Sequence, residues 1–86
     1  MKYLEDYLNY LEYQKNYSKD TIHSYNVDLL EYFNYLDKEG INFYDMNYDM
    51  VRLFLMYLND LGNKSSTISR KISSLRSFYK FLLNFL

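Results

Sequence analysis

Lys64-Ser65-Ser66-Thr67-Ile68-Ser69-Arg70-Lys71-Ile72-Ser73-Ser74-Leu75-Arg76-Ser77-Phe78-Tyr79-Lys80 is the stretch from which the rest of the chain can be read. Ile68, Ile72, Leu75 and Tyr79 recur at steps of three and four, and Leu82 continues the series. That spacing predicts a helix with one face in a core. The positions between carry cations and short hydroxyl side chains, and no carboxylate. With Ile68 at the centre of the buried stripe and about 100° of rotation per residue, Ser66, Arg70, Ser73 and Ser77 fall opposite the core. Ser74 lies beside them, Thr67 and Lys71 on one flank, and Ser69, Arg76 and Lys80 on the other. The helix is expected over 65–85, capped by Ser65 or Ser66, and spans roughly 30 Å.

Charge sharpens this reading. Residues 61–86 contain five Lys or Arg and no acid, whereas the first 60 contain five basic and eleven acidic residues. The formal net charge of −1 is therefore a cancellation. An asymmetry of this kind points to an anionic partner at the basic end. Arg and Lys displace counterions from phosphates. A helix start rich in Ser and Thr presents unpaired N–H groups and a positive dipole end to a phosphate. Short serines let a backbone approach a groove, and Arg70 has the reach to pair with a guanine edge.

Working upstream, punctuation is sparse. There is no Pro, and the two Gly, Gly40 and Gly62, stand where helices should stop. A first helix is expected over 2–14, with Leu4, Leu8 and Leu11 on one face and Tyr7 flanking them. Ser18 caps a second over 18–39, whose stripe is Ile22, Tyr25, Leu29, Phe33 and Leu36. Ile41, Phe43 and Tyr44 in the following connection are expected to pack underneath. Asn47 opens a third helix over 47–61, with Val51, Phe54, Leu55 and Leu58 inward and Asp49 at the positive end. The start of the second helix also carries Lys19, Thr21, His23 and Ser24 with only Asp20 among them, so that end alone can face phosphate. His23 is off the apolar stripe and reads as an exposed histidine. No strand pattern competes, and the short connections make sequential helices neighbours. The fold class is all-α, a four-helix bundle in one domain over 1–86.

Composition excludes several functions. The chain has no Cys and one His, so disulfides and a zinc site are not expected, and no cofactor is implied. No apolar run approaches the roughly 18 residues that span a bilayer. Met1-Lys2-Tyr3-Leu4-Glu5-Asp6 introduces acids at once and lacks a signal-peptide apolar core, so the expected location is cytoplasmic. Twelve Tyr enlarge the apolar share of 49%, and at helical spacing they read as core or boundary residues.

Two stretches together carry a family resemblance. One is Ser18-x-x-Thr21-x-x-x-Tyr25-x-x-Asp28-Leu29-x-x-x-Phe33-x-x-Leu36. The other, more specific, runs Thr67-x-x-Arg70-Lys71-Ile72-Ser73-Ser74-Leu75-Arg76-Ser77-Phe78-Tyr79-Lys80-Phe81-Leu82. The chain resembles, over essentially its whole length, the N-terminal core-binding domain of tyrosine recombinases, the phage-integrase and Xer-like group. The resemblance implies a SAM-like helical module that forms half of a C-shaped clamp on double-stranded DNA, with its second and fourth helices toward the major groove. Carried over by position, the implied DNA contacts are Lys19, Thr21 and Ser24 on the second helix, and Lys64, Ser66, Thr67, Arg70, Lys71 and Ser74 at the fourth. Ser74 stands where many relatives have Ala, and Arg76 and Lys80 lie on the far flank.

In that family the strand-cutting Tyr and its helpers belong to a C-terminal catalytic domain. None of the twelve tyrosines here matches the nucleophile's motif, so this chain is expected to bind DNA, to lack that domain and to cut nothing. The isolated domain is expected to be monomeric. Phe81 and Phe85 fall off the main stripe beside Ser74 and Phe78, which predicts a surface covered by the catalytic domain, its linker or a neighbouring protomer. The competing possibility is packing against Tyr3, Tyr7 or Tyr10. Two other functions stay open at this level. One is a helical interaction module whose basic face meets an acidic protein, and the other is a helix-turn-helix regulator. No paired-carboxylate, Cys–His or Gly-rich phosphate constellation supports a free-standing enzyme.

Overall fold

The computed structural model describes residues 2–85, the side chain at position 85 excepted. Four α-helices account for most of them: α1 (Lys2–Tyr13), α2 (Lys19–Glu39), α3 (Tyr48–Asp60) and α4 (Ser65–Phe85). A single 3-10 turn, Phe43–Asp45, interrupts the α2–α3 connection, and no strand occurs among the described residues. Each expected helix is present within one residue of its expected ends.

The boundaries follow from local chemistry. Ser18, in extended backbone, accepts a hydrogen bond from the Thr21 N–H and caps α2. Asn47 does the same for α3 through the Met50 N–H at 3.0 Å. Both glycines sit in the left-handed region, Gly40 at φ 66° and Gly62 at φ 89°. Each closes a Schellman pair: Gly40 N–H to Asp37 C=O with Ile41 N–H to Leu36 C=O, and Gly62 N–H to Asn59 C=O with Asn63 N–H to Leu58 C=O. The expected serine cap of α4 is not observed. Ser65 and Ser66 already lie inside its first turn, and the helix opens from the Lys64 carbonyl, which accepts from Ile68 N–H.

The core is built mainly from aromatic rings. Leu4, Tyr7 and Leu11 of α1, Leu29, Tyr32, Tyr35 and Leu36 of α2, Phe54 and Leu58 of α3, and Leu75, Phe78, Phe81 and Leu82 of α4 are all buried. Tyr7, expected at the edge, is at the centre. Its ring meets Phe78 edge-on at 5.5 Å and Phe81 at 5.3 Å. Of the residues expected beneath the bundle, Ile41 and Phe43 pack on the core, but Tyr44 is 66% exposed.

The largest departure concerns α4. Its buried side is Ser74, Leu75, Phe78, Phe81 and Leu82, while Ile68 and Ile72 are only half-buried. The inward face is therefore turned about 80° from an Ile68-centred stripe, by helix geometry. Two aromatic rings take the inward face in place of the two Ile: Phe78 packs against Tyr7 of α1 and Phe33 of α2, and Phe81 against Tyr7 and Tyr10 of α1. Phe81 is 8% exposed, with Tyr10 at 5.0 Å, so the expected uncovered aromatic surface is absent at this residue. Phe85, the other half of that expectation, has its side chain outside the described residues. Ser77, expected opposite the core, is half-buried and accepts the Tyr7 hydroxyl at 2.6 Å.

Buried phenols make the fold sensitive to alkali. Burial pushes the Tyr7 hydroxyl up to about 12, and the Ser77 hydrogen bond offsets only part of that shift. Burial also raises Tyr32 and Tyr79, whose hydroxyls lie 2.6 Å apart, Tyr79 donating onward to the Phe43 carbonyl. In the unfolded chain phenols ionise near 10. The folded state thus holds these protons more tightly, and its stability is complete below about pH 10 and falls as pH rises toward about 12. Far-UV circular dichroism and tyrosinate absorbance, followed together through this window, should change cooperatively. Smooth ionisation of all twelve tyrosines near pH 10 with the helical signal intact would contradict this.

Candidate nucleic-acid interface

The sequence-predicted residues divide sharply once α2 and α4 are in place. On α2, Thr21, Ser24, Asp28 and Glu31 form one row at steps of three and four. On α4, Thr67, Arg70, Lys71 and Ser74 form the facing row. The two rows meet at Asp28. Its carboxylate is 3% exposed and accepts from Arg70 Nη2 through Oδ1 (3.0 Å) and from Ser74 Oγ through Oδ2 (2.9 Å). One position on, Lys71 Nζ lies 2.7 Å from Glu31 Oε1 and donates to Asn63 Oδ1 at 3.0 Å. The ammonium thus bridges the Glu31 carboxylate and the Asn63 amide oxygen. Asn63 in turn donates to the Leu58 carbonyl, which ties the end of α3 to α4.

Two expected contact residues therefore do not face solvent. Ser74 is 3% exposed and its hydroxyl is committed to Asp28, so it is part of the helix seam and not of an outer surface. Lys71 is half-buried against Glu31. Both displacements follow from the rotation of α4, which carries its Lys71–Ser74 edge toward α2.

The others are exposed. Lys64, Ser66 and Arg70 stand at the surface on α4 and its approach, with Thr67 half-buried. Lys19, Thr21 and Ser24 are exposed at the start of α2, as is His23. Thr21 and Ser24 share the row that faces α4, whereas Lys19 stands about 160° around the helix from Thr21. Ser24 donates to the Asp20 carbonyl and Thr21 accepts from Ser18, so both hydroxyls are oriented by their own helix start. Arg70 is 57% exposed although paired, and only its Nη2 donates to Asp28. Its other donors make no hydrogen bond among the described residues.

Arg76 and Lys80 belong to a different surface. With Tyr48 and Val51 of α3 and Ile72, Tyr79 and Leu83 of α4, they line a shallow apolar groove. Sequence reasoning missed the seam role of Asp28 and Glu31: Asp28 entered it as a member of the family pattern, and Glu31 only among the acids of the first 60 residues. Their signal was positional: Asp28 lies four residues after Ser24 and seven after Thr21.

The hydroxyl- and cation-bearing end where α2 and α4 meet lies in a chain whose sequence matches a known family. Residues 4–84 match the family described as phage integrase, N-terminal SAM-like domain. The chain belongs to that family. It is similar to tyrosine recombinase XerC of Anoxybacillus flavithermus, 46% identical over 78 residues that cover 90% of this chain and 26% of that protein. The XerC protein of Bacillus licheniformis is 45% identical over 82 residues, covering 94% of this chain and 27% of the relative. That of Staphylococcus haemolyticus is 41% identical over 75 residues, or 87% and 25%. The chain thus spans about a quarter of the length of these curated relatives. No solved structure matches it. Among the described residues no helix is long and apolar enough to cross a membrane.

Proposed function

We propose that this phage-integrase SAM-like domain is the DNA-binding N-terminal module of a tyrosine site-specific recombinase. In this reading it holds duplex DNA through the starts of α2 and α4, and strand cleavage resides in a separate C-terminal catalytic domain. The carrying observation is the distribution of charge at the seam. Its two acids, Asp28 and Glu31, are paired with Arg70 and Lys71, and the exposed groups beyond them are Lys64, Ser66, Arg70, Thr21 and Ser24. The α4 start adds N–H groups that no side chain caps among the described residues. Phosphates would be met by Lys64, by Lys19 on the flank and by the α4 start. Arg70, held at one nitrogen only, is the residue with donors left for a base edge.

An NMR titration with a short duplex at low salt tests this. Amide shifts should centre on 19–24 and 64–70. With about three phosphate contacts, the association constant should fall roughly 40-fold between about 50 and about 200 mM salt. Shifts confined to the Tyr48, Arg76 and Lys80 groove, or no shifts at any salt, would overturn the reading. The first outcome would favour a protein-interaction module instead.

A further inference from the structure

A carboxylate beside a DNA-facing arginine is electrostatically unfavourable, because it repels the phosphates that the neighbouring cations attract. Asp28 nevertheless sits there, buried, with both oxygens engaged. A residue that served only to fill the helix seam would pack better as a Leu or Ala, since a buried ion pair seldom adds stability over apolar packing. Three features of the site define a different role. Asp28 holds Arg70 through one terminal nitrogen, and the other guanidinium donors of this largely exposed side chain are unengaged among the described residues. Ser74, one turn beyond Arg70 on α4, donates to the second oxygen and fixes the carboxylate plane. The Ser74 hydroxyl also lies 3.3 Å from the Arg70 carbonyl, so the clamp includes the backbone that carries the guanidinium. A long exposed arginine has rotamer entropy that must be given up on binding unless the side chain is already held.

We infer that Asp28 is a positioning residue that pre-orients the Arg70 guanidinium for sequence readout, at the cost of some non-specific phosphate attraction. This rests on the DNA-binding reading above. It gives Asp28→Asn opposite effects on two measurable quantities. Removal of a negative charge leaves affinity for mixed-sequence duplex unchanged or higher, because the counterion-driven term improves. Loss of orientation lowers discrimination between sequences, since a well-placed bidentate arginine is what separates the right base from the wrong one. A residue that acted only through the fold would lower both together.

The test uses the 86-residue chain, wild type and Asp28→Asn, against a pool of randomised duplexes about 20 base pairs long. The expected result is at least a fivefold loss of sequence enrichment with unchanged or tighter binding to the unselected pool. In parallel, the Arg70 side-chain NMR signals should show restricted rotation in the wild type and averaging in the variant, a readout that needs no DNA. Arg70→Lys keeps the charge and one link to Asp28 but loses the fork, so it should reproduce the enrichment loss even if Asp28→Asn folds poorly. Wild-type enrichment retained in Asp28→Asn, or in Arg70→Lys where Asp28→Asn folds poorly, overturns the inference and leaves the DNA-binding reading standing. A wild-type chain that binds no duplex at low salt overturns both.

Discussion

Phe78→Ala is expected to lower the unfolding midpoint by about 20 °C, the largest stability effect of any single substitution in this domain. Phe78 is fully buried where α4 crosses the rest of the bundle. Its ring meets Tyr7 of α1 at 5.5 Å, Phe33 of α2 at 5.5 Å and Phe43 of the 3-10 turn at 6.2 Å, all as aromatic contacts. Truncation removes the transfer free energy of the ring and leaves a cavity that these rigid rings cannot collapse to fill. Such changes cost about 3–5 kcal/mol. A domain of this size has a total stability of only about 5–10 kcal/mol, and neither a disulfide nor a bound metal is available from Cys to offset the loss. Urea denaturation read by circular dichroism should show the midpoint fall with an unchanged slope. A loss below about 1 kcal/mol would mean that α4 is anchored by Leu75 and Leu82 and not by its aromatic side.

The same ring shows what was legible in the sequence and what was not. Capping and stop signals act within a few residues, so Ser18, Gly40, Asn47 and Gly62 announce their helix ends directly, and all four do so in the structure. The choice of buried face on α4 is not local. Both Ile68-Ile72-Leu75-Tyr79 and Leu75-Phe78-Phe81-Leu82 are apolar series at helical spacing, and periodicity alone gives no preference between them. The decision is made by α1 and α2, which leave a space that suits two aromatic rings. That tertiary choice turns the helix and draws Lys71 and Ser74 into the seam. It leaves Lys64, Ser66 and Arg70 outside. The charge pattern pointed to the start of α4, where Lys64, Ser66 and Arg70 are exposed, whereas the pairing of Arg70 with Asp28 needed α2 and α4 in place together.

Arg70→Ala should therefore act twice, on folding and on DNA, and the two effects can be separated. Removing the guanidinium leaves Asp28 Oδ1 without its partner while Oδ2 keeps Ser74. Breaking a fully buried ion pair from one side costs about 3–5 kcal/mol. Here Arg70 is 57% exposed, and its truncation admits water to the carboxylate, so about 1–2 kcal/mol is expected. On DNA the loss should be about 1–3 kcal/mol, roughly 10- to 100-fold, if Arg70 reads a base. Adding Asp28→Asn to Arg70→Ala removes the stranded charge and preserves an acceptor for Ser74. The double variant should regain most of the lost stability but none of the sequence-specific part of the lost affinity. Full stability of Arg70→Ala alone would show that Asp28 does not depend on its partner. Recovery of sequence-specific DNA binding in the double variant would show that Arg70 matters to DNA only through the fold. Unfolding curves and binding isotherms on the two proteins, measured at one salt concentration, decide between these outcomes, because a structural role moves both readings together and a contact role moves them apart.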